Sequence, residues 1–302
     1  MTAAGIDLGG TKIATQLFDA SWRLMDQRRT ATPIDYPGLI AELADHVAWA
    51  EARLAPGAPV GLASAGLVNP ATGLALTANL PSTGKPFPAD LNLRTGRQIT
   101  IINDCRAFAL SEAVFGAARG MTPVVGIILG TGVGGAVVVN GKLLAGHAAV
   151  GGEFGHFALA AAPMIAHRLP VLRCGCGRIG CTETYVSGTG LSRIAAHVLS
   201  KPMTAGQIAE TRRSDPAAAR VWAIWCELLA EMLLTLCLTV DPACIVLGGG
   251  VSQAAGLVDD LSAALQGAQL PGFAVPPIRL AEGGDASGAR GAAYAAWEAA
   301  HV

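Results

Sequence analysis

The chain has 302 residues and a formal net charge of −1, so it is long enough for a core without disulfide support and lacks the basic excess of a nucleic-acid binder. With 52% hydrophobic and 14% charged residues it is also not a disordered chain. The mean hydropathy of +0.45 raises the question of a membrane span. However, the uncharged stretch 121–141 carries Pro123 and a run of glycines that would leave backbone groups unpaired in a bilayer, so no span is expected.

Residues 3–8 read as a short apolar strand, 9–12 as a glycine turn and 13–19 as a second strand. Residues 34–54 carry apolar side chains at helical spacing. Residues 60–65 form a strand ending at Gly66, and 99–102 a buried strand ending at Asn103 and Asp104. A helix is expected over 107–118. A boundary near 119–123 divides the chain into an N-terminal lobe, 1–119, and a C-terminal lobe, 120–302, with the last helix a candidate to pack back on the first lobe. In the second lobe, 124–129 is a β-rich run, 130–135 a glycine turn and 136–139 a further strand. Residues 217–240 form a long apolar-periodic helix, cut by Asp241-Pro242. Residues 245–247 run as a strand into Gly248, Gly249 and Gly250, and a final helix begins near Ser287.

The plan of strand, glycine turn and strand occurs twice, which suggests two related α/β lobes. No helical pattern follows either turn, unlike a Walker loop or a dinucleotide fingerprint. Glycines in such turns let backbone N–H groups approach an anionic oxygen. Asp7, Gly9, Gly10, Thr11 and Lys12 form the first set, with Asp7 placed to orient Mg2+ through water. Gly130, Thr131, Gly132, Gly134 and Gly135 form the second. Each alone also fits an ordinary hairpin; together they read as a clamp on the β- and γ-phosphates of ATP. The Gly248–Gly250 run suits close approach of adenine, or a helix packed tightly on the sheet.

Asp104, at the lip of a strand, is placed either to accept a hydroxyl proton during phosphoryl transfer or to cap the following helix. Cys174, Cys176 and Cys181, with His156 upstream, offer three thiolates and an imidazole for a closed, structural Zn2+ site, against the alternative of unliganded reduced cysteines. The start of the chain lacks a basic segment followed by an apolar one. The cytoplasm is therefore the expected compartment, where grouped cysteines are read as metal ligands before disulfides. Cys105, Cys226, Cys237 and Cys244 sit in apolar contexts and are expected in the core. Glu153 and Glu183 flank the cysteine cluster, either as acceptors for sugar hydroxyls or as solvated carboxylates.

Taken in order, Asp7-x-Gly9-Gly10-Thr11-Lys12, Asn103-Asp104, Gly130-Thr131-Gly132-x-Gly134-Gly135, Glu153-x-Gly155-His156, Cys174-x-Cys176, Cys181-x-Glu183 and Gly248-Gly249-Gly250 resemble the ROK family nearly end to end. The resemblance implies an actin-like ATPase fold of two ribonuclease-H-like lobes hinged around a cleft. It also implies ATP with Mg2+, a structural Zn2+ that shapes a sugar pocket, a homodimer, and no nucleic-acid or membrane partner. By the same resemblance Asp104 is the general base. Asn103, Glu153, His156 and Glu183 contact the sugar, His156 and the three cysteines bind zinc, the two turns hold phosphate, and the Gly248 turn lies near adenosine.

Residues 78–87 and the long spacer from His156 to Cys174 resemble the N-acetylglucosamine kinase branch, in which Gly66, Thr77 and Asn79 would read the sugar. N-acetylmannosamine and glucose are the alternative substrates. Mammalian-type N-acetylmannosamine kinases have arginine where this chain has Leu67. A sugar-responsive repressor is disfavoured, since only six residues precede Asp7 and family repressors carry a DNA-binding element there.

Overall fold

The computed structural model describes residues 2–144 and 146–301. It divides into two units, Met1–Gly116 with Lys142–Gly151 and Glu282–Val302, and Ala117–Gly141 with Gly152–Ala281. The expected continuous second lobe, 120–302, is thus interrupted at Lys142–Gly151 and ends at Ala281, and the last helix groups with the first unit, as the sequence suggests.

In the first unit, Ala3–Leu8 (β1) and Lys12–Phe18 (β2) form the expected hairpin around the glycine turn. Leu24–Ala31 (β3) follows. Its polar sequence at the sheet edge gave no strand signal, because its side chains alternate between half-buried and exposed. Tyr36–Glu51 (α1) starts after Asp35, whose carboxylate accepts the Gly38 N–H, which trims the expected 34–54 helix. Then come Val60–Ser64 (β4), the two-residue strands Leu67–Val68 (β5) and Ala75–Leu76 (β6), Phe87–Thr95 (α2) and Thr100–Asn103 (β7). The sheet order is β3-β2-β1-β4-β7, with β1, β4 and β7 parallel and β2 and β3 antiparallel.

Asp104–Val114 (α3) begins three residues earlier than the sequence suggested and ends four earlier. The shift has a local cause. Asn103 is the cap: its side-chain oxygen accepts the N–H groups of Cys105 and Arg106, so the first helical turn closes directly on Asp104.

In the second unit, Val124–Leu129 (β8) and Val133–Val139 (β9) pair antiparallel. The turn between them is shorter than expected: Gly130 N–H donates to Gly132 O, and β9 starts at Val133. Gly134 and Gly135 therefore lie in the ladder, opposite Ile128 and Ile127. A side chain on Gly135 would sit 2.2 Å from Gly126 O, so that glycine serves strand packing.

Beyond Lys142–Leu143 (β10) come the helices Ala161–Ala166 (α4), Glu183–Val186 (α5), Gly188–Leu199 (α6), Ala205–Thr211 (α7) and Pro216–Val240 (α8). Cys244–Gly248 (β11), Leu257–Ala268 (α9) and Ile278–Leu280 (β12) complete the unit. Within it the sheet runs β9-β8-β11-β12, with β8, β11 and β12 parallel. A hairpin beside parallel strands thus occurs in both units, the repeat the sequence suggested. Among the described residues α8 is the one helix long and apolar enough to cross a membrane. Here its apolar length forms core: Trp222, Trp225, Leu229 and Leu233 are buried. Stretch 121–141 is the β8–β9 hairpin.

The last helix, Ser287–Ala300 (α10), is rich in Ala and Gly and returns to the first unit. It lies directly on the sheet. A side chain on Gly5 would reach 1.7 Å from Ala289 O, and one on Gly61 would reach 1.9 Å from Ala292 O. Against α3 the same is true of Gly291, whose added carbon would fall 1.8 Å from Ala107 O. Small residues on both sides therefore fix α3, and with it Asp104, against the sheet.

Candidate active site

In the first unit the chemistry gathers where β7 ends and α3 starts. Asp104 is half-buried at the first helical position. Burial pushes its carboxyl above the ordinary carboxylate range. The Cys105 N–H and the Asn103 side chain, donors to the ionised form, oppose that rise.

Asn103 Nδ2 donates both to Asp104 Oδ1 and to Gly66 O, each at 2.9 Å, while its oxygen caps α3. All four hydrogen-bonding positions of the amide are in use. The sequence offered Asn103 as a sugar contact and left capping open for Asn or Asp. In the structure Asn103 is the cap, and Asp104, at the first helical position, shares the Cys105 N–H with it through Oδ1.

Gly66 has φ +90°, and a side chain there would lie 2.4 Å from Leu76 O. Its glycine is thus required by the β5–β6 hairpin. The Thr77 hydroxyl is committed to Leu80 O and to Thr83 Oγ1, and it shapes the loop rather than facing outward alone. Asn79 is exposed, and its Cβ would lie 3.2 Å from a carbon added at Gly10, so it borders the first glycine turn. That turn is closed by Gly9 N–H donating to Lys12 O and by Thr32 Oγ1 donating to Gly9 O. Gly10, Thr11 and Lys12 are exposed on it. Gly288, in the first turn of α10, is packed against the Asp7 carboxylate, where an added carbon would lie 3.0 Å away.

In the second unit, Gly130 and Thr131 line a cavity of about 960 Å3 together with Gly250. Gly248 is buried in β11 and Gly249, with φ +86°, would clash with Leu129 O if it carried a side chain. Only the third residue of that triple glycine therefore faces the space. Sequence reasoning missed Gly188, Thr189, Ser192, Glu210 and Arg213, which line the same cavity. Thr189 Oγ1 donates to Thr131 O and Gly188 N–H to Gly130 O, so the α6 N-terminus braces the turn. The one available signal was Ser187 ahead of two glycines, a helix-start pattern.

Also in the second unit, the ligating atoms of His156, Cys174, Cys176 and Cys181 lie within 4.8 Å of one another. Cys176 Sγ and Cys181 Sγ are 3.6 Å apart, and Cys174 Sγ is 3.7 Å from His156 Nδ1. A tetrahedron of ~2.3 Å metal–sulfur bonds has edges of about 3.8 Å, so the residues fit Zn2+. The other ring nitrogen, His156 Nε2, is 3.7 Å from Glu153 Oε2, so a carboxylate lies beside the nitrogen that the metal would leave free. Glu183 joins this cluster to the second turn. Its Oε2 accepts the Val133 N–H at 2.8 Å, and its Oε1 lies 3.8 Å from Cys174 Sγ. The remaining cysteines divide: Cys226, Cys237 and Cys244 are buried, whereas Cys105 is half-buried beside Asp104.

The profile of the ROK family matches residues 3–299. The chain is 41% identical to N-acetylgalactosamine kinase AgaK of Shewanella sp. (strain ANA-3), over 96% of this chain and 94% of that one. It is 39% identical to N-acetyl-D-glucosamine kinase of Citrobacter koseri, over 96% and 97%. Among solved structures it is similar to the ROK hexokinase from Thermus thermophilus, with 32% identity, a TM-score of 0.87 and coverage of 100% and 99%. It is also similar to a ROK family glucokinase from Streptomyces griseus in complex with glucose and AMPPNP, at 29% identity, a TM-score of 0.77 and coverage of 99% and 100%. The two α/β units, each built on a hairpin beside parallel strands, are those of the actin-like ATPase fold, and the chain belongs to the ROK family.

Proposed function

We propose that this chain is an ATP-dependent kinase that phosphorylates the 6-hydroxyl of an N-acetylhexosamine, with N-acetylglucosamine the first expectation. The observation that carries the reading is Asp104, a half-buried carboxylate at the first position of a helix that Asn103 caps, bonded to that residue's amide. The 6-hydroxyl oxygen attacks the γ-phosphorus, the bond to the bridging oxygen of ADP breaks, and the hydroxyl proton passes to Asp104.

The large cavity lined by Gly130, Thr131 and Gly250 suits the nucleotide, and the exposed turn Gly9–Lys12 suits phosphate. Asp7 would orient, through water, the Mg2+ that accompanies the nucleotide, and that ion would supply positive charge to the phosphoryl oxygens. His156, Cys174, Cys176 and Cys181 would hold Zn2+ as a structural ion, since four protein ligands would close a tetrahedral site. Glu153 and Glu183, both tied to that cluster, are the acceptors for sugar hydroxyls. N-acetylgalactosamine is a second reading, favoured by the name of the 41% identical relative. The enzyme is expected to work in the cytoplasm as a homodimer, and light scattering against the 30.6 kDa chain mass checks the assembly.

An ADP-release assay with N-acetylglucosamine, N-acetylgalactosamine, N-acetylmannosamine and glucose tests the function. The reading requires turnover with an N-acetylated sugar to exceed that with glucose. ADP release with none of the four would overturn it.

A further inference from the structure

The first unit holds a second, smaller cavity, of about 100 Å3, beside Gly66 and Asn103. That is room for several water-sized groups. Its walls are largely aliphatic or aromatic: Ala65 after β4, Val68 on β5, Phe87 at the start of α2, and Ile101 and Ile102 on β7. The polar side chains at its edge are largely turned to other tasks. The Thr77 hydroxyl serves Leu80 and Thr83, and the Asn103 amide has all four positions occupied. The Ser64 hydroxyl is aimed at Ala65 O, 3.3 Å away. A water molecule or a sugar hydroxyl needs two to four polar partners. This space instead suits a small apolar group carried on a polar stem.

Two further observations place that group on a hexose. First, β7 carries the wall residues Ile101 and Ile102 and hands the chain directly to Asp104. From Ile101 to Asp104 the near-extended backbone runs about 10 Å, the scale of a hexose and its substituent. Second, the cavity has a pinned outer wall. Ala149 lines it, and the segment carrying Ala149 is held by Arg106, whose Nε and Nη2 donate to Gly151 O at 3.2 and 2.8 Å. Arg106 itself lines the cavity and sits two residues beyond Asp104, so the same helix start holds both the carboxylate and the wall.

We infer that this cavity receives the methyl group of the sugar's 2-acetamido substituent, and that Val68, Phe87, Ile101 and Ile102 set the length of acyl chain the enzyme accepts. The inference rests on the hexosamine kinase reading and adds to it the residues that select the substituent. The bond from Asn103 Nδ2 to Gly66 O also ties the niche wall to the Asp104 corner.

The test is a series of glucosamines acylated at nitrogen with formyl, acetyl, propanoyl and butanoyl groups, with glucose as the parent. Each is read twice with the full chain, by ADP release and by calorimetric binding without nucleotide. The niche requires affinity to peak at the acetyl or propanoyl compound and to fall about 10-fold or more for butanoyl and for glucose, the usual scale for one group gained or lost in a fitted apolar site. Val68→Phe, which fills the space, lowers the N-acetylglucosamine-to-glucose ratio of kcat/KM by about 10-fold or more. Equal calorimetric affinity from formyl to butanoyl overturns the niche, even where Val68→Phe fails to fold. Silent ADP release with an intact acyl-length dependence overturns the kinase reading instead and leaves the niche supported.

Discussion

Asn103 Nδ2 donates to Asp104 Oδ1 across 2.9 Å, while the Asn103 oxygen accepts the Cys105 and Arg106 N–H groups in the first turn of α3. One side chain therefore starts the helix, anchors the Gly66 turn and aims the carboxylate at the helix start. Asn103→Ala is expected to lower kcat, since misplacement by about 1 Å can cost ~100-fold. It is also expected to cost about 1 kcal/mol of stability through the lost cap. Steady-state kinetics with a thermal melt check both. A rise in KM with kcat unchanged would make Asn103 a sugar contact rather than a positioning residue.

The cysteine cluster gives a separate prediction. Its thiols are close enough that burial and mutual proximity hold Cys181 protonated unless a cation compensates them. Purified wild-type chain is expected to carry one zinc per chain by elemental analysis, and Cys176→Ser is expected to lose it. Because Glu183 links the cluster to the Val133 N–H, zinc loss should lower the melting temperature and weaken both sugar and nucleotide binding. Wild-type chain that binds sugar normally without zinc would contradict the structural role.

His46 predicts a pH dependence of stability. It is fully buried between Thr15 Oγ1 and Thr30 Oγ1, and burial first, then the Arg28 charge, holds its imidazole down to about 4, against the partial opposition of Glu42 and Asp45. The unfolded chain therefore takes up this proton at higher pH than the folded one. Stability from His46 is complete above about pH 6.5 and is lost as pH falls toward about 4, by ~3 kcal/mol in all. Urea unfolding at several pH values measures the slope. His46→Gln should flatten it, and an unchanged slope in that variant would assign the proton elsewhere.

Much of this arrangement was legible in the sequence wherever an apolar run met a glycine cluster. The β1–β2 and β8–β9 hairpins and the β7–Asp104 corner are of that kind, because burial and tight turning leave a compositional mark. The sequence misplaced the α3 start because Asn and Asp are both good caps, and only the folded geometry decides which one accepts the N–H groups. It extended the second turn through Gly135 because a glycine needed for strand packing looks like one needed for phosphate. The polar edge strand β3 left no strand signal, the α6 brace on Gly130 and Thr131 left only the Ser187 helix start, and the small cavity left none. The brace and the cavity are made by residues distant in sequence, such as Thr131 with Thr189, or Val68 with Ile101.

The central claim is that Asp104 takes the hydroxyl proton, and Asp104→Asn tests it most directly. The side chain keeps its size and its place beside Asn103, so calorimetric affinity for N-acetylglucosamine should stay near that of the wild type. Turnover in the ADP-release assay should fall by about 100- to 10,000-fold, the usual contribution of a positioned base. Turnover within a few-fold of wild type, at unchanged sugar affinity, would contradict the assignment.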